Sequence, residues 1–452
     1  MKIIVVGCGK IGTTIIHNLV SEGHDVVALD YNAEIINDIT NMYDVMGICG
    51  NATDYETLVE AGVKESGLFV AVTSHDELNM LSCRIAKKMG AGLTVARIRN
   101  PEYNGQSLDF MCDVLDISKS INPELLAAHE IFNILKFPSA VKVEYFSRGN
   151  FEMIELKLRD NSILDGMSLM DLRNKYKSKV LISAVQRDDK VVIPDGRFVL
   201  KSADRISITA TPSEIQSFLN ELGLLQKKAR NIMILGGSKI AYYLSKMLLN
   251  EGNTVKIIEQ KRERCLELCD ALPNAVIING DGAEQELLFE EGITELDAFV
   301  SLTGMDEENI LISIFAASQN VPKVISKVNR TELAAMAEKL GLDTIVSPKD
   351  TTANIIVRYA RAVENSLGSS VETLYKLMDG QAEALEFNVR NDFEHINIPF
   401  KDLEFKSNIL IAGIIRGKES IIPGGNDYIL PGDNVIVLAS GHKLNDLSDI
   451  IK

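Results

Sequence analysis

The chain is written twice. The stretch NIMILGGSKIAYYLSKMLLNEGNTVKIIEQ at 231–260 repeats the opening KIIVVGCGKIGTTIIHNLVSEGHDVVALDYN, with Gly236 answering Gly7 and Glu259 answering Asp30, each 229 residues later. The likeness continues: Gly50, Thr73, Asp76, Glu77 and Asn79 meet Gly280, Thr303, Asp306, Glu307 and Asn309 at an offset of 230. Near the two C-terminal ends, VLISAVQRDDKVVIPDGRFVLKSADRISITA parallels ILIAGIIRGKESIIPGGNDYILPGDNVIVLA, so that Arg187, Pro194, Gly196 and Asp204 are answered by Arg416, Pro423, Gly425 and Asp433. Self-similarity on this scale allows only a tandem of two like halves.

Each half opens on alternating strand and helix signals, which imply a parallel sheet covered on both faces. The segments 1–122 and 229–350 are therefore predicted to be Rossmann-like, doubly wound domains. The segments 141–225 and 370–452, with β-branched runs between Gly, Pro and Asp turns, are predicted to be small α+β domains, each ending in one helix. The chain as a whole is of the α/β class, each doubly wound domain being followed by a small α+β one. In the first half strands are expected near 2–6, 25–29, 45–49, 68–72, 93–97 and 113–117, and a helix from about 77 to 88.

The apolar run Ile3 to Val6 stops at Gly7, and Gly7, Gly9 and Gly12 open a segment of helical period through Ile15, Ile16 and Leu19. In such a unit the first glycine permits the turn, the second lets backbone approach a pyrophosphate and the third lets helix pack on strand. The helix N-terminus offers free N–H groups to an anion. The run Gly7, Cys8, Gly9, Lys10, Ile11 and Gly12 is thus a phosphate-loop candidate. Asp30, at the next strand end and 18 residues past Gly12, suits the two hydroxyls of a ribose and repels a 2′-phosphate, which favours NAD(H) over NADP(H). Ligands of open parallel sheets bind beyond the carboxyl ends of the strands. Asn51, Ala52, Thr73, Ser74, Arg97 and Ile98 stand at such ends and complete the first candidate site. Arg97 suits a phosphate or a carboxylate of a neighbouring subunit equally. Asp76, Glu77 and Asn79 are expected to cap the helix after Thr73.

The second half departs from the pattern. Ser238 replaces the second glycine and Ala241 the third, putting side-chain atoms where backbone should meet pyrophosphate and strand. Its candidate residues are Gly236, Gly237, Ser238, Lys239, Ile240, Glu259, Asp281, Thr303 and Lys327.

Composition removes several classes. A net charge of −16 argues against a sequence-independent grip on nucleic acid or anionic lipid. No apolar run approaches the length of a membrane span, and a core strand starts at once without a leader, so a cytoplasmic protein is expected. The six cysteines show no CxxC pair, and neither they nor the scattered histidines form a metal spacing or a triad. A dehydrogenase needs a proton donor or acceptor beside its cofactor. His75 is the only histidine near the candidate site, and Met305 answers it in the second half. The chain is expected to be no enzyme, with an NAD-dependent oxidoreductase acting on a small substrate as the alternative and a ligand-free scaffold as the third reading.

NPELLAAHEIFNILKFPSA at 122–140 has an amphipathic period ended by Pro138, and DTTANIIVRYARAVENSLG at 350–368 takes its place in the second half. Such a helix packs within its domain or crosses over to a partner subunit. Two modules in one chain make an internal pseudo-dimer, so a ring closes with half as many polypeptides, and a homo-oligomer of two to four chains is expected.

Taken together, GCGKIG at 7–12, Asp30, GNATD at 50–54, Thr73 with Ser74 and the IPxG pattern of both small domains resemble the regulator-of-potassium-conductance (RCK) modules, as paired in the peripheral subunits of Trk potassium-uptake systems. The resemblance covers essentially the whole chain. It implies a cytoplasmic regulatory subunit, peripheral to the inner face of the cell membrane, that binds NAD(H), with ATP or ADP as further ligands. Its implied partner is an integral-membrane potassium-translocating subunit of the TrkH or TrkG kind. Potassium rests on the resemblance alone.

Overall fold

The computed structural model describes the chain apart from residues 104, 147–150, 161, 189, 225–227, 366–370, 443 and 445, so the expected domain ends at 225 and 370 lie outside the described residues. The first sheet is built from β1 (Lys2–Val6), β2 (Asp25–Asp30), β3 (Met46–Cys49), β4 (Leu68–Ala71), β5 (Leu93–Arg97) and β6 (Lys119–Ile121). Its helices are α1 (Lys10–Ser21), α2 (Ala33–Met42), α3 (Tyr55–Glu60), α4 (Asp76–Met89), α5 (Gly105–Leu115) and α6 (Pro123–Lys136). The strands are parallel in the order β3-β2-β1-β4-β5-β6, with the reversal between β1 and β4 that defines the doubly wound fold.

Five of the six expected strands fall within one residue of the observed spans. The sixth does not: 113–117 is the end of α5 and the turn after it, and the edge strand starts at Lys119. Leu108, Met111, Cys112 and Leu115 recur at helical spacing and pack on one core cluster, a period that the five residues 113–117 are too short to show.

The first small domain contains β7 (Lys142–Phe146), β8 (Phe151–Lys157), α7 (Leu169–Lys175), β9 (Leu181–Arg187), β10 (Lys190–Val192), β11 (Arg205–Ala210) and α8 (Pro212–Glu221). Its sheet is antiparallel, ordered β10-β9-β11-β8-β7. The second half repeats the plan. Its parallel sheet is formed by β12 (Asn231–Leu235), β13 (Thr254–Glu259), β14 (Val276–Asn279), β15 (Ala298–Ser301), β16 (Lys323–Lys327) and β17 (Ile345–Val346), in the order β14-β13-β12-β15-β16-β17. Its helices are α9 (Lys239–Asn250), α10 (Arg262–Ala271), α11 (Gln285–Glu290), α12 (Asp306–Ser318), α13 (Thr331–Lys339) and α14 (Pro348–Asn365). The last sheet is antiparallel: β18 (Val371–Leu377), β19 (Ala382–Asn388), β20 (Ile409–Arg416), β21 (Glu419–Ile421) and β22 (Asn434–Ser440), ordered β18-β19-β22-β20-β21. Where the first small domain ends in an α-helix, the second ends in a 3-10 turn at Leu447–Ile450.

The two halves are interlocked by their crossover helices. α6 leaves the first module and buries Ala127, Ala128, Ile131, Ile134 and Leu135 among Ile232, Leu244 and Leu248 of the second. α14 returns the exchange, placing Ala353, Ile356, Val357 and Ala360 among Ile3, Ile15 and Leu19 of the first. The amphipathic faces are therefore covered across the internal pseudo-dimer of this one chain, not by a separate subunit. The small domains also meet: Phe146, Phe151 and Met153 share a core with Leu377, Ala384, Ala412 and Leu438. Each small domain is pinned by a bidentate pair, Arg187 with Asp204 at 2.7 and 2.7 Å and Arg416 with Asp433 at 3.0 and 2.8 Å. The matched Arg and Asp of the repeat are thus structural, and the same arginines donate to the carbonyls of Val199 and Tyr428 in the loops between.

One joint carries a pH dependence. The Lys323 amine at the start of β16 is buried and donates to the Ala140 carbonyl at 2.6 Å and the Thr344 hydroxyl at 2.8 Å. Burial pushes it down to about 7. Below that pH folded and unfolded chains are both protonated, and the full cost of a buried cation is felt. Between there and the ordinary lysine value the unfolded chain alone holds the proton, so stability rises with pH. Lys323→Met is expected to gain most over the native chain at pH 6, with the advantage shrinking steadily above pH 7 and smallest near pH 10, in paired thermal melts.

Candidate functional site

At the end of β1 the backbone of Gly7 turns at φ +88°, and a Cβ there would stand 2.7 Å from the Thr73 nitrogen. Glycine is required on both counts. A Cβ at Gly12 would stand 1.9 Å from the Gly7 carbonyl oxygen, so Gly12 acts in packing and not in ligand contact. Gly9 differs from both: a Cβ there meets nothing within 4 Å, and Gly9 leads into α1 without a side-chain cap. The first turn of α1 therefore presents its N–H groups to open space.

That space is a cavity of about 780 Å³, within the range of small-molecule sites. From the first module it is lined by Gly7, Gly9, Lys10, Ile11, Asp30, Asn51, Ala52, Thr73, Ser74 and Arg97. The far wall comes from the second module: Ser238, Lys239, Ile240, Lys327 and Lys349. The crevice is thus shared between modules, which the sequence reading did not foresee.

Asp30 is buried, and its carboxylate accepts from the Cys8 N–H at 2.7 Å and the Asn32 N–H at 3.0 Å. It braces the glycine turn while one edge faces the cavity. The Cys8 thiol points inward, donating to the Leu29 carbonyl at 3.6 Å, and burial pushes it up to about 12; only the Cys8 backbone serves the turn. Ile98 is a correction of another kind. It is a core residue, its N–H donating to the Ile121 carbonyl at 2.9 Å, and it does not line the cavity.

Asp76 and Asn79 do more than begin α4. The Asp76 carboxylate accepts from the N–H groups of Arg99 and Asn100 at 2.7 and 2.8 Å, and Asn79 bridges the Thr73 N–H at 2.9 Å and the Arg97 carbonyl at 2.9 Å. The N-cap of α4 is His75, with no side-chain cap. The expected capping role is therefore replaced by one that fixes the β4 and β5 ends at which Thr73 and Arg97 face the cavity. Asp306 and Asn309 repeat it, Asn309 bridging the Thr303 N–H and the Lys327 carbonyl at 2.9 and 2.9 Å, and the repeat offset was the signal for it.

Arg97 lies 3.7 Å from Glu124 at the start of α6, a carboxylate of its own chain, and Arg99 lies 3.7 Å from the same group. Arg97 Nε and Glu124 Oε2 are buried without a hydrogen-bond partner, so this wall has unspent polar capacity. Burial pushes the Lys327 amine down, and the nearby Lys10 adds to that, so an anion between them would relieve both.

The second module closes its own loop. The Ser238 hydroxyl accepts from the Ala241 N–H at 3.3 Å, using the helix terminus that Gly9 leaves free. Ala241 itself is fully buried in the core cluster. Arg264 donates to the Gly237 carbonyl at 2.7 Å, and Glu259 accepts from the Gly237 and Lys261 N–H groups at 2.7 and 2.7 Å. Gly236, Gly237, Glu259, Asp281 and Thr303 do not line the shared cavity, whereas Ser238, Lys239, Ile240 and Lys327 reach it from the opposite side. Among the described residues no cluster of His, Cys, Asp and Glu could hold a metal ion, and no helix is long and apolar enough to cross a membrane.

Fold and cavity define a class of protein: tandem Rossmann-type modules, crossed over one another within a chain, with a cation-rich cleft between them. The TrkA-N domain matches residues 3–122 and 232–348, and the TrkA-C domain residues 153–223 and 385–452. The chain is 31% identical over 456 residues to the Trk system potassium uptake protein TrkA homolog of Archaeoglobus fulgidus, covering 100% of both chains. It is 30% identical over 449 residues to the Trk system potassium uptake protein TrkA of Vibrio alginolyticus, covering 98% of this chain and 96% of that one. The chain belongs to the TrkA family. Among solved structures the GsuK channel superposes with a TM-score of 0.65 at 16% identity, covering 97% of this chain and 77% of that one, and the GsuK channel bound to NAD does so with a TM-score of 0.63 at 15% identity and the same coverage; these agree in fold.

Proposed function

We propose that this chain is the nucleotide-sensing regulatory subunit of a potassium transport system. NAD(H) binds with its pyrophosphate on the Gly7–Gly9 turn and α1 terminus and its ribose at Asp30. ATP or ADP occupies the same cleft. The observation that carries the reading is the open α1 terminus at Gly9, facing a cavity walled by cations of both modules. A ligand touching both modules has unequal affinity for their open and closed arrangements, and only such a difference shifts the equilibrium between them. The names of the relatives supply potassium, and the GsuK channel bound to NAD supplies a nucleotide on the same fold.

The reading is of a switch and not an enzyme. The cleft combines a glycine turn and cations with an apolar lining and the carboxylates of Asp30 and Glu124, and His75 is the histidine among its lining residues. The shift passes to an integral-membrane potassium-translocating subunit of the TrkH or TrkG kind, against which the chain sits at the inner membrane face. Homo-oligomer formation is supported by exposed apolar side chains on both modules, Leu81, answered by Leu311 in the repeat, with Phe110 and Val114 on the first and Met336 and Leu340 on the second. Membrane vesicles holding the translocating subunit of the same cell test the function. With this chain present, NADH or ATP is expected to change the potassium flux several-fold. Flux indifferent to every nucleotide, with the chain bound, contradicts regulation; steady NADH oxidation with a small carbonyl substrate supports the oxidoreductase instead.

A further inference from the structure

A second cavity, of about 960 Å³, lies at the opposite edge of the second module, by the N-terminal ends of its strands. It is formed by the end of α6 (Phe132, Leu135, Lys136), the segment entering β12 (Lys228, Arg230) and the turn after α9 (Leu248, Glu251). The repeat supplies a control, because the corresponding joint of the first module is filled. There Arg361 of α14 donates to Glu22 at 2.9 Å and to Glu383 at 3.1 and 3.0 Å, and Lys376 pairs with Glu22 at 3.1 Å. Two cations meet two acids in a closed network, with the Arg361 side chain 8% exposed.

At the second joint Lys136 takes the place of Arg361, Glu251 that of Glu22 and Glu152 that of Glu383. The network does not form. The Lys136 amine lies over the Phe132 ring, 4.4 Å from its centroid, and Glu152 Oε2 is buried without a hydrogen-bond partner. Burial pushes the Glu152 carboxyl up to about 7, so near neutral pH it is a weak source of negative charge. Glu364, which pairs with His24 at the first joint, is answered by Ser139. Lys228 and Arg230 enter here, Arg230 where the Met1 amine pairs with Glu364 at the first joint, and Asp297, which accepts from the Arg230 and Asn231 N–H groups at 2.8 and 2.9 Å, adds an acid to the lining. The joint thus sets three basic side chains against the two carboxylates of Glu251 and Asp297, an excess of cations where its twin is closed by ion pairs, and the hollow has an apolar floor.

We propose that this hollow binds a phosphate-bearing small molecule, its oxyanion held by Lys136, Lys228 and Arg230 and its organic body against Phe132, Leu135 and Leu248. Arginine and lysine together suit phosphate, the one by its planar fork and the other as a point charge. The bound anion completes the charge balance that Glu22 and Glu383 give the first joint, and it fastens α6 to the second module as Arg361 fastens α14 to the first. The site is separate from the nucleotide cleft and stands or falls without it.

Phenyl phosphate and inorganic phosphate are the probes, with hydrogen exchange locating their effect on the full chain. Phenyl phosphate is expected to slow exchange at 131–137, 228–232 and 250–253, and to bind at least about fivefold more tightly than inorganic phosphate through its buried ring. Lys228→Ser with Arg230→Ser, both exposed and tolerated by the fold, is expected to weaken it at least about tenfold, as is Lys136→Met. No protection of these segments at millimolar phenyl phosphate overturns the site, as does unchanged affinity in the double variant. Equal affinity for the two probes overturns the apolar half of the assignment. Protection confined to residues around Gly9 and Asp30 reports the other cleft and counts against this one.

Discussion

Valine at position 9 is expected to leave the chain folded and to abolish nucleotide binding. Gly9 has φ −69° and ψ −169°, a backbone open to any residue, and a Cβ there meets no atom within 4 Å. The cost to the fold is that of a poor helix cap, about 1 kcal/mol. The two added methyl groups stand where a pyrophosphate must approach the α1 N–H groups, so NAD(H) affinity is expected to fall at least about 100-fold, or roughly 2.7 kcal/mol. Gly12→Val gives the contrast. Its side chain meets the Gly7 carbonyl from 1.9 Å and is expected to unfold the first module. Full affinity in Gly9→Val, measured by calorimetry on a protein with the native melting temperature, contradicts the proposed ligand pose.

The second large effect is in stability. Ile131 of α6 is fully buried among residues of the other module, and Ile356 of α14 mirrors it. Ile131→Asp removes that packing and leaves a buried carboxylate without a cation, for an expected loss of about 4 kcal/mol or more. Because α6 closes the second module, the loss is expected to appear there in hydrogen exchange, across β12 and α9, and not in the first sheet that α6 follows in sequence. Ile356→Asp is expected to show the converse. Loss confined to the module that precedes each helix contradicts the exchange. Leu81→Asp, on an exposed face of α4, is the control and is expected to change monomer stability little.

How far the sequence reaches depends on what kind of interaction decides each feature. β-branched runs and glycine turns are local, so the first five strands and the Gly7 turn were legible. The repeat made the second half legible by copying the first. α5 was misread because the five residues DVLDI at 113–117 are too few to show a period, and only packing on the core distinguishes helix from strand. The faces of α6 and α14 were legible as apolar, but nothing in a single sequence says which sheet covers them. The same limit applies to the cleft. The alignment of the halves placed Lys239 and Lys327 in a second site of their own, whereas the crossing of the helices turns them toward Gly9. Asp76 and Asn79 stood out only as helix-start residues, since their hydrogen bonds span to residues 99 and 97, a distance in sequence that no local rule covers.

The central claim is that one nucleotide binds per chain, on the first module's turn and against the second module's cations. Calorimetric titration of NADH into the native chain, Asp30→Ala and Glu259→Ala tests it most directly. One NADH per chain is expected, with affinity reduced at least about 30-fold by Asp30→Ala, the loss of a charge-assisted ribose contact and of the brace at Cys8, and unchanged by Glu259→Ala. Two NADH per chain with one removed by Glu259→Ala, or equal affinity in Asp30→Ala and the native protein, contradicts it.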